Sequence, residues 1–164
     1  MTEPNDSVKQ FLVLSTMLTD FEHLVLLGTG LVDEYYQTVT ASIGASIMQE
    51  LLTVSSNIHQ QVGSDPAQLE AAIRSEILAS PKLGPVARNI IQLWYLGSWI
   101  QMPASWRETY GANPADVDKV VSVVAYQQGL IWPLIGAHPP GAKQPGFGSW
   151  NLKPRPYLAP GVEV

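Results

Sequence analysis

The 164-residue sequence contains no cysteine. That excludes disulfides, thiolate-bound zinc, iron–sulfur clusters held by this chain and cysteine nucleophiles. Charge is also scarce: 14% of residues are charged, where roughly 25% is usual for a soluble domain. Cationic charge is the scarcer kind, with nine Lys and Arg against fourteen Asp and Glu. The net charge is −5 and the isoelectric point about 5.0. With no basic run to neutralise phosphates, the composition argues against a nucleic-acid partner. Long apolar runs are missing as well; the longest span about five residues, where roughly 20 are needed to cross a bilayer. The opening MTEPNDSVKQ has neither the basic nor the apolar region of an export signal.

What is present is a hydrophobic content of 46% and a mean hydropathy of +0.07. Disordered chains run low in apolar residues, so disorder is excluded. The length suits one hydrophobic core. Charge is unevenly spread. Residues 1–80 carry ten acidic side chains against Lys9 and Arg74, whereas residues 81–164 carry seven basic and four acidic ones. Such polarity can orient an encounter with a partner, or simply mark a solvated acidic helix face. Seven of the thirteen prolines and five glycines fall in residues 133–164. Proline removes a donor and clashes with the preceding turn, so this tail is expected to be extended, not helical. Its Phe147, Trp150 and Tyr157 point to an arm that lies on its own domain or on a neighbour.

Apolar spacing of three to four predicts helices. The first runs from Ser7 to about Leu27, with Ser7 or Asp6 as its cap, and Gly28 and Gly30 end it. The second runs from about Asp33 to His59, where Ser42, Gly44, Ala45 and Ser46 would let another helix approach closely. Ser64-Asp65-Pro66 opens a third, by a polar cap and a first-turn proline, and Pro81 ends it. A fourth begins at Pro85 with Val86, Ile90, Leu93, Trp94 and Gly97 on a buried stripe. A fifth begins at Asn113-Pro114 and includes Val117, Val120, Val121, Val124, Leu130 and Ile131, although the β-branched run 120–124 also suits a strand. The expected fold is all-α: a single compact helical domain of about five helices over 1–132, with an extended Pro/Gly-rich arm over 133–164.

Candidate chemistry is thin. Gly28-Thr29-Gly30 resembles the opening of a dinucleotide fingerprint, but Asp33 occupies the third glycine position and no βαβ alternation follows. A helix break is the better reading. His23, His59 and His138 lack a ligand pattern, Asp20 before His23 apart. Asp33-Glu34 and Asp20-Glu22 read as solvated helix ends, since nothing nearby would separate their pKa values for acid–base work. Ser149 lacks the second glycine of a nucleophile elbow. The expectation is a chain with no catalytic, cofactor or metal residues. Aromatics stand out more: Trp94, Tyr95, Trp99 and Trp106 crowd together, and Trp132 and Trp150 follow. Trp94 and Trp132 lie in apolar helix patterns and read as core. Trp99, Trp106 and Trp150 lie near Gly, Ser or Pro and suit either core or interface; with Phe147 and Tyr157 they form the candidate partner interface.

Ile90-Ile91-Gln92-Leu93-Trp94-Tyr95-Leu96-Gly97 resembles a known family. It is similar to the small subunit of the multi-subunit, membrane-associated FAD-dependent sugar and alcohol dehydrogenases of bacteria, which include sorbitol, fructose and glucose dehydrogenase complexes. Ile90, Trp94, Tyr95 and Gly97 match that family's I-x-x-x-W-Y-x-G helix motif. Phe11, Leu14-Ser15 and Leu18-Thr19 resemble its N-terminal pattern. Ala125, Tyr126, Leu130 and Trp132 resemble its A-Y-x-x-x-L-x-W stretch, and Pro145 to Trp150 with Pro154 its proline-rich close. The chain departs from the family in lacking a twin-arginine signal, in Gly129 where alanine is usual, and in looser tail spacing.

The resemblance implies a non-catalytic accessory subunit with chaperone-like duties. It would bind the large FAD-containing subunit, stabilise it and support its maturation and export. Cofactors would reside in partner subunits: FAD, with haem c and an iron–sulfur cluster in such complexes. The implied location is the periplasm, peripheral to the inner membrane through the complex, if a signal has been removed, and the cytoplasm otherwise. Two other readings compete. One is a stand-alone helical module holding a small apolar ligand in a Trp-lined pocket; the other is an enzyme using Asp20, Glu22 and His23.

Overall fold

The computed structural model describes residues 4–63 and 65–140. The expectations placed on Phe147, Trp150 and Tyr157, and on the chain from 141 onward, lie outside the described residues. In chain order, α1 covers Pro4–Thr19, α2 His23–Gly28, α3 Val32–Ile43, α4 Ala45–Val62 and α5 Pro66–Ala72. A π-helical turn, Ile73–Leu78, continues α5, and α6 follows at Leu83–Leu96. Then come β1 (Ser98–Trp99), α7 (Ala104–Tyr110), β2 (Lys119–Val120), α8 (Val123–Gln127) and α9 (Ile131–Leu134). The two short strands pair antiparallel, Ser98 opposite Val120 and Trp99 opposite Lys119. The chain is all-α, but in more pieces than the five helices predicted.

Each extra break has a local cause. The predicted helix from Ser7 to Leu27 stops at Asp20, which adopts a left-handed φ of 59° while its N–H closes on Thr16 O at 3.0 Å. Its start also differs: α1 begins at Pro4, so Asp6 and Ser7 lie within the helix and do not cap it. A proline at the first helical position loses nothing, because its N–H would have no partner there. The predicted helix from Asp33 to His59 is cut at Gly44, whose φ of 87° and ψ of 151° suit glycine alone. Of the small residues expected at a close helix contact, Ser42 is buried, whereas Ala45 and Ser46 are exposed. Asp65 caps α5 as predicted, accepting from Ala67 N and Gln68 N. Pro133 was expected outside any helix, yet it is the third residue of α9, where its missing N–H again costs no bond. The helix therefore runs across residues 132–133.

Helix α1 is the centre of the packing, lying against α2, α3, α4 and α6. It buries Phe11, Leu12 and Leu14, and also Ser7, Ser15 and Thr19. Ser15 and Thr19 are tolerated there because the Ser15 hydroxyl donates to Phe11 O and the Thr19 hydroxyl to Ser15 O, both at 2.8 Å. Buried hydroxyls satisfied within their own helix add no unpaired polar group to the interface. The stripe predicted for α6 is buried as expected through Val86, Ile90, Leu93 and Trp94. Ile77 of the π turn and Leu51, Leu52 and Ile58 of α4 complete the same core.

Candidate functional site

Among the described residues that carry the family resemblance, Thr19, Trp94, Tyr95, Gly97, Ala125, Tyr126, Leu130 and Trp132 meet in one junction. Gly97 ends α6 in the left-handed region, φ 67°, and a Cβ there would stand 2.4 Å from the Ala125 carbonyl. Gly97 O accepts from Val121 N at 2.9 Å, and Trp94 O accepts from Leu130 N at 3.1 Å. Gly129 fits only without a side chain, since a Cβ would approach Tyr95 O to 2.7 Å. Trp132 donates its indole N–H to Tyr126 O at 2.8 Å and crosses the Tyr126 ring edge to face. From the other side, the Tyr95 hydroxyl donates to Thr19 O at 3.3 Å. Thus the end of α1, the 94–97 turn and the 125–132 segment are joined by main-chain and side-chain donors that all end on main-chain carbonyls. Trp94 and Leu130 are buried, while Tyr95, Tyr126 and Trp132 are partly so. Partial burial, and then the nearby Asp20 carboxylate, push the Tyr95 phenol above its ordinary pKa.

Trp94 also packs edge to face on Tyr35, with ring centroids 4.7 Å apart. The Tyr35 hydroxyl and the Trp94 indole N–H are both buried without a hydrogen-bond partner. Burial, with a smaller contribution from Glu34, drives the Tyr35 phenol strongly upward in pKa.

Two candidate interface tryptophans belong to the interior. Trp99 is 0% exposed and Trp106 4%. Each found a partner for its indole N–H far along the chain: Trp99 donates to Asp116 Oδ1 at 2.9 Å, and Trp106 to Lys82 O at 2.8 Å. Asp116 is buried too, and its carboxylate also accepts from Met102 N. Nearby Gly, Ser and Pro made these indoles look like loop residues; long-range hydrogen bonds let them be buried.

The accessible apolar surface lies elsewhere. The predicted fifth helix is replaced by a turn, β2, α8 and α9, because Asp116 turns inward to Trp99 and Met102, and the Ser122 hydroxyl caps α8 on Ala125 N. Val117, Val120 and Val124, expected on buried helix faces, are exposed, as is Val123 at 72%. Strand alternation explains Val120: it faces Ser98, on the side opposite the buried Trp99, and Ile100 shares that side. Leu96 is exposed at the end of α6 just before this ribbon. Six of the nine exposed large aliphatic residues among those described therefore fall in the paired segments 96–100 and 117–124. Apolar exposure grouped in this way marks an interaction surface more often than a random surface does. Sequence reasoning missed it because valines at positions 117, 120 and 124 also satisfy a helical period.

Potential chemistry is dispersed. His23, His59 and His138 are all exposed, and no cluster of three metal-ligating side chains occurs among the described residues. Asp20, Glu22 and His23 are likewise exposed, and no hydrogen bond joins their side chains. Glu34 instead accepts from the Ser122 hydroxyl at 3.1 Å, tying α3 to the start of α8. The segment around Gly28 and Gly30 is a helix end and a turn leading into α3. A cleft of about 410 Å³ opens beside the end of α1, but its walls are aliphatic and charged and contain no tryptophan. No helix among the described residues is long and apolar enough to cross a membrane. Comparison with protein-family models, curated proteins and solved structures finds no match to this chain.

Proposed function

We propose that the chain is a non-catalytic accessory subunit that binds and stabilises the FAD-containing catalytic subunit of a sugar or alcohol dehydrogenase and supports its maturation and export. One observation carries the binding role: the exposed aliphatic group at Leu96, Ile100, Val117, Val120, Val123 and Val124 on a charge-poor chain. Removing such a surface from water favours association by roughly 25 cal/mol for each Å² of apolar area. The surface is also well supported. Behind it lies the junction of Trp94, Tyr95 and Gly97 with Ala125 and Leu130, so its shape exists before a partner arrives and little ordering entropy is lost on binding. The flavoprotein identity of the partner rests on the resemblance of the same motif residues to the dehydrogenase small subunits. Their packing on one another is compatible with motifs that preserve a scaffold while the adjoining surface makes the contact.

The test is a pair of surface variants in cells that hold the native partner. Val120→Lys with Val123→Lys is expected to leave the melting temperature and circular dichroism unchanged, because both side chains are exposed. Recovery of a flavoprotein with the tagged chain should fall at least tenfold. Undiminished recovery by a correctly folded double variant would remove this surface from the proposal.

A further inference from the structure

The cleft of about 410 Å³ beside the end of α1 lies among α1, α5, the π turn and α6. That volume falls in the range of small-molecule sites. Leu18, Leu69 and Ile73 contribute to its aliphatic wall, while Asp20, Glu70 and Arg74 are its charged groups and are exposed at its mouth. It stands apart from the aliphatic surface at the β1–β2 ribbon, with which it shares no lining residue.

Two backbone irregularities flank this cleft. Among the described residues, Asp20 alone is a non-glycine residue with positive φ, at 59°. The π turn, where Ala79 N reaches back to Arg74 O at 3.0 Å, supplies Ile73, Arg74 and Leu78 to the wall. Both kinds of irregularity recur at binding sites, because they re-aim side chains that regular helices would direct elsewhere. Asp20 occupies the position after α1 that glycine fills with least strain. An aspartate there keeps a carboxylate at the mouth of the cleft in an unfavourable backbone conformation.

Charge then selects the ligand. Arg74 is already paired with Glu70. Among the described residues no ion pair or hydrogen bond engages the Asp20 side chain, so the charged groups they place at the mouth leave one negative charge uncompensated. We propose that this cleft binds a small amphiphile with an apolar body and a cationic amine head, the body against Leu69 and Ile73 and the ammonium on Asp20. An anionic amphiphile would meet two carboxylates, and Arg74, the one cation among the described lining residues, is already committed.

Calorimetric titration of the full chain with octylamine, 1-octanol and octanoate tests this. Octylamine is expected to bind most tightly and octanoate least. Asp20→Asn preserves tolerance of the left-handed backbone and removes the charge. It should weaken octylamine by about fivefold, the scale of a single partly solvated ion pair, and leave 1-octanol unchanged. Asp20→Gly should raise the melting temperature while abolishing the amine preference, which a purely structural aspartate would not do. Equal affinity for the three probes, no binding of octylamine, or an amine preference that survives both variants would overturn the proposal.

Discussion

Asp116→Ala should unfold the loop region that supports the ribbon. The buried Asp116 carboxylate accepts from two buried donors, the Trp99 indole N–H at 2.9 Å and the Met102 amide at 3.0 Å. Hydrogen bonds to charged groups contribute about 1.5–3 kcal/mol each, and a donor left buried without an acceptor incurs its full desolvation cost. Removing the carboxylate also relieves the expense of burying it, which offsets part of the loss. A net destabilisation of roughly 3 kcal/mol follows, a large share of the 5–15 kcal/mol typical of a domain. For a chain of this length it corresponds to a fall in melting temperature of about 6–12 °C. Thermal unfolding followed by far-ultraviolet circular dichroism and tryptophan fluorescence reads it. Trp99→Phe removes one donor from the buried carboxylate and leaves a cavity at a fully buried site, so it should cost a comparable amount. The two substitutions combined should cost less than the sum of their separate effects, because they share a bond. A loss under about 1 kcal/mol for Asp116→Ala, or strict additivity with Trp99→Phe, would refute this account of the loop.

Gly97→Ala places a Cβ 2.4 Å from the Ala125 carbonyl at a φ of 67°, and strain plus overpacking should cost about 2–5 kcal/mol in denaturant unfolding. Gly129→Ala, at ordinary φ but 2.7 Å from Tyr95 O, should be destabilised by about 1–3 kcal/mol in the same assay. Tyr35→Phe removes a buried hydroxyl that has no partner and should stabilise the fold by up to about 1 kcal/mol, read as a raised melting temperature. Asp65 has its pKa lowered, chiefly by the hydrogen bond it accepts from the Gln68 backbone N–H. A carboxyl with a depressed folded pKa stabilises above its unfolded pKa and loses that contribution as pH falls through the folded value. Acid titration of stability should therefore be flatter in Asp65→Asn than in the parent chain.

Parts of the fold were legible because local chemistry and tertiary packing agree. Asp65-Pro66 announces the start of α5, and the stripe Val86, Ile90, Leu93 and Trp94 announces α6. The break at Gly44 was hidden because Ile43 and Ile47 keep helical spacing across it. Nor could residues 113–131 be read locally. Their β-branched valines suit a strand or a helix, and the choice is made by Asp116 reaching Trp99 and by Val121 N reaching Gly97 O. The same long-range bonds explain why Trp99 is buried. The burial of Trp106 likewise depends on its bond to Lys82 O, and the exposure of Val120 emerged only once strand pairing set which side of the ribbon meets solvent.

The most direct measurement of the central claim is affinity purification of the tagged chain from its native cells, with the visible spectrum of the eluate recorded and its proteins identified by mass. An accessory subunit of an FAD-dependent dehydrogenase is expected to bring down a larger yellow flavoprotein that reduces an artificial acceptor dye when supplied with a sugar or alcohol. A colourless eluate holding this chain alone, folded and monodisperse, would contradict it.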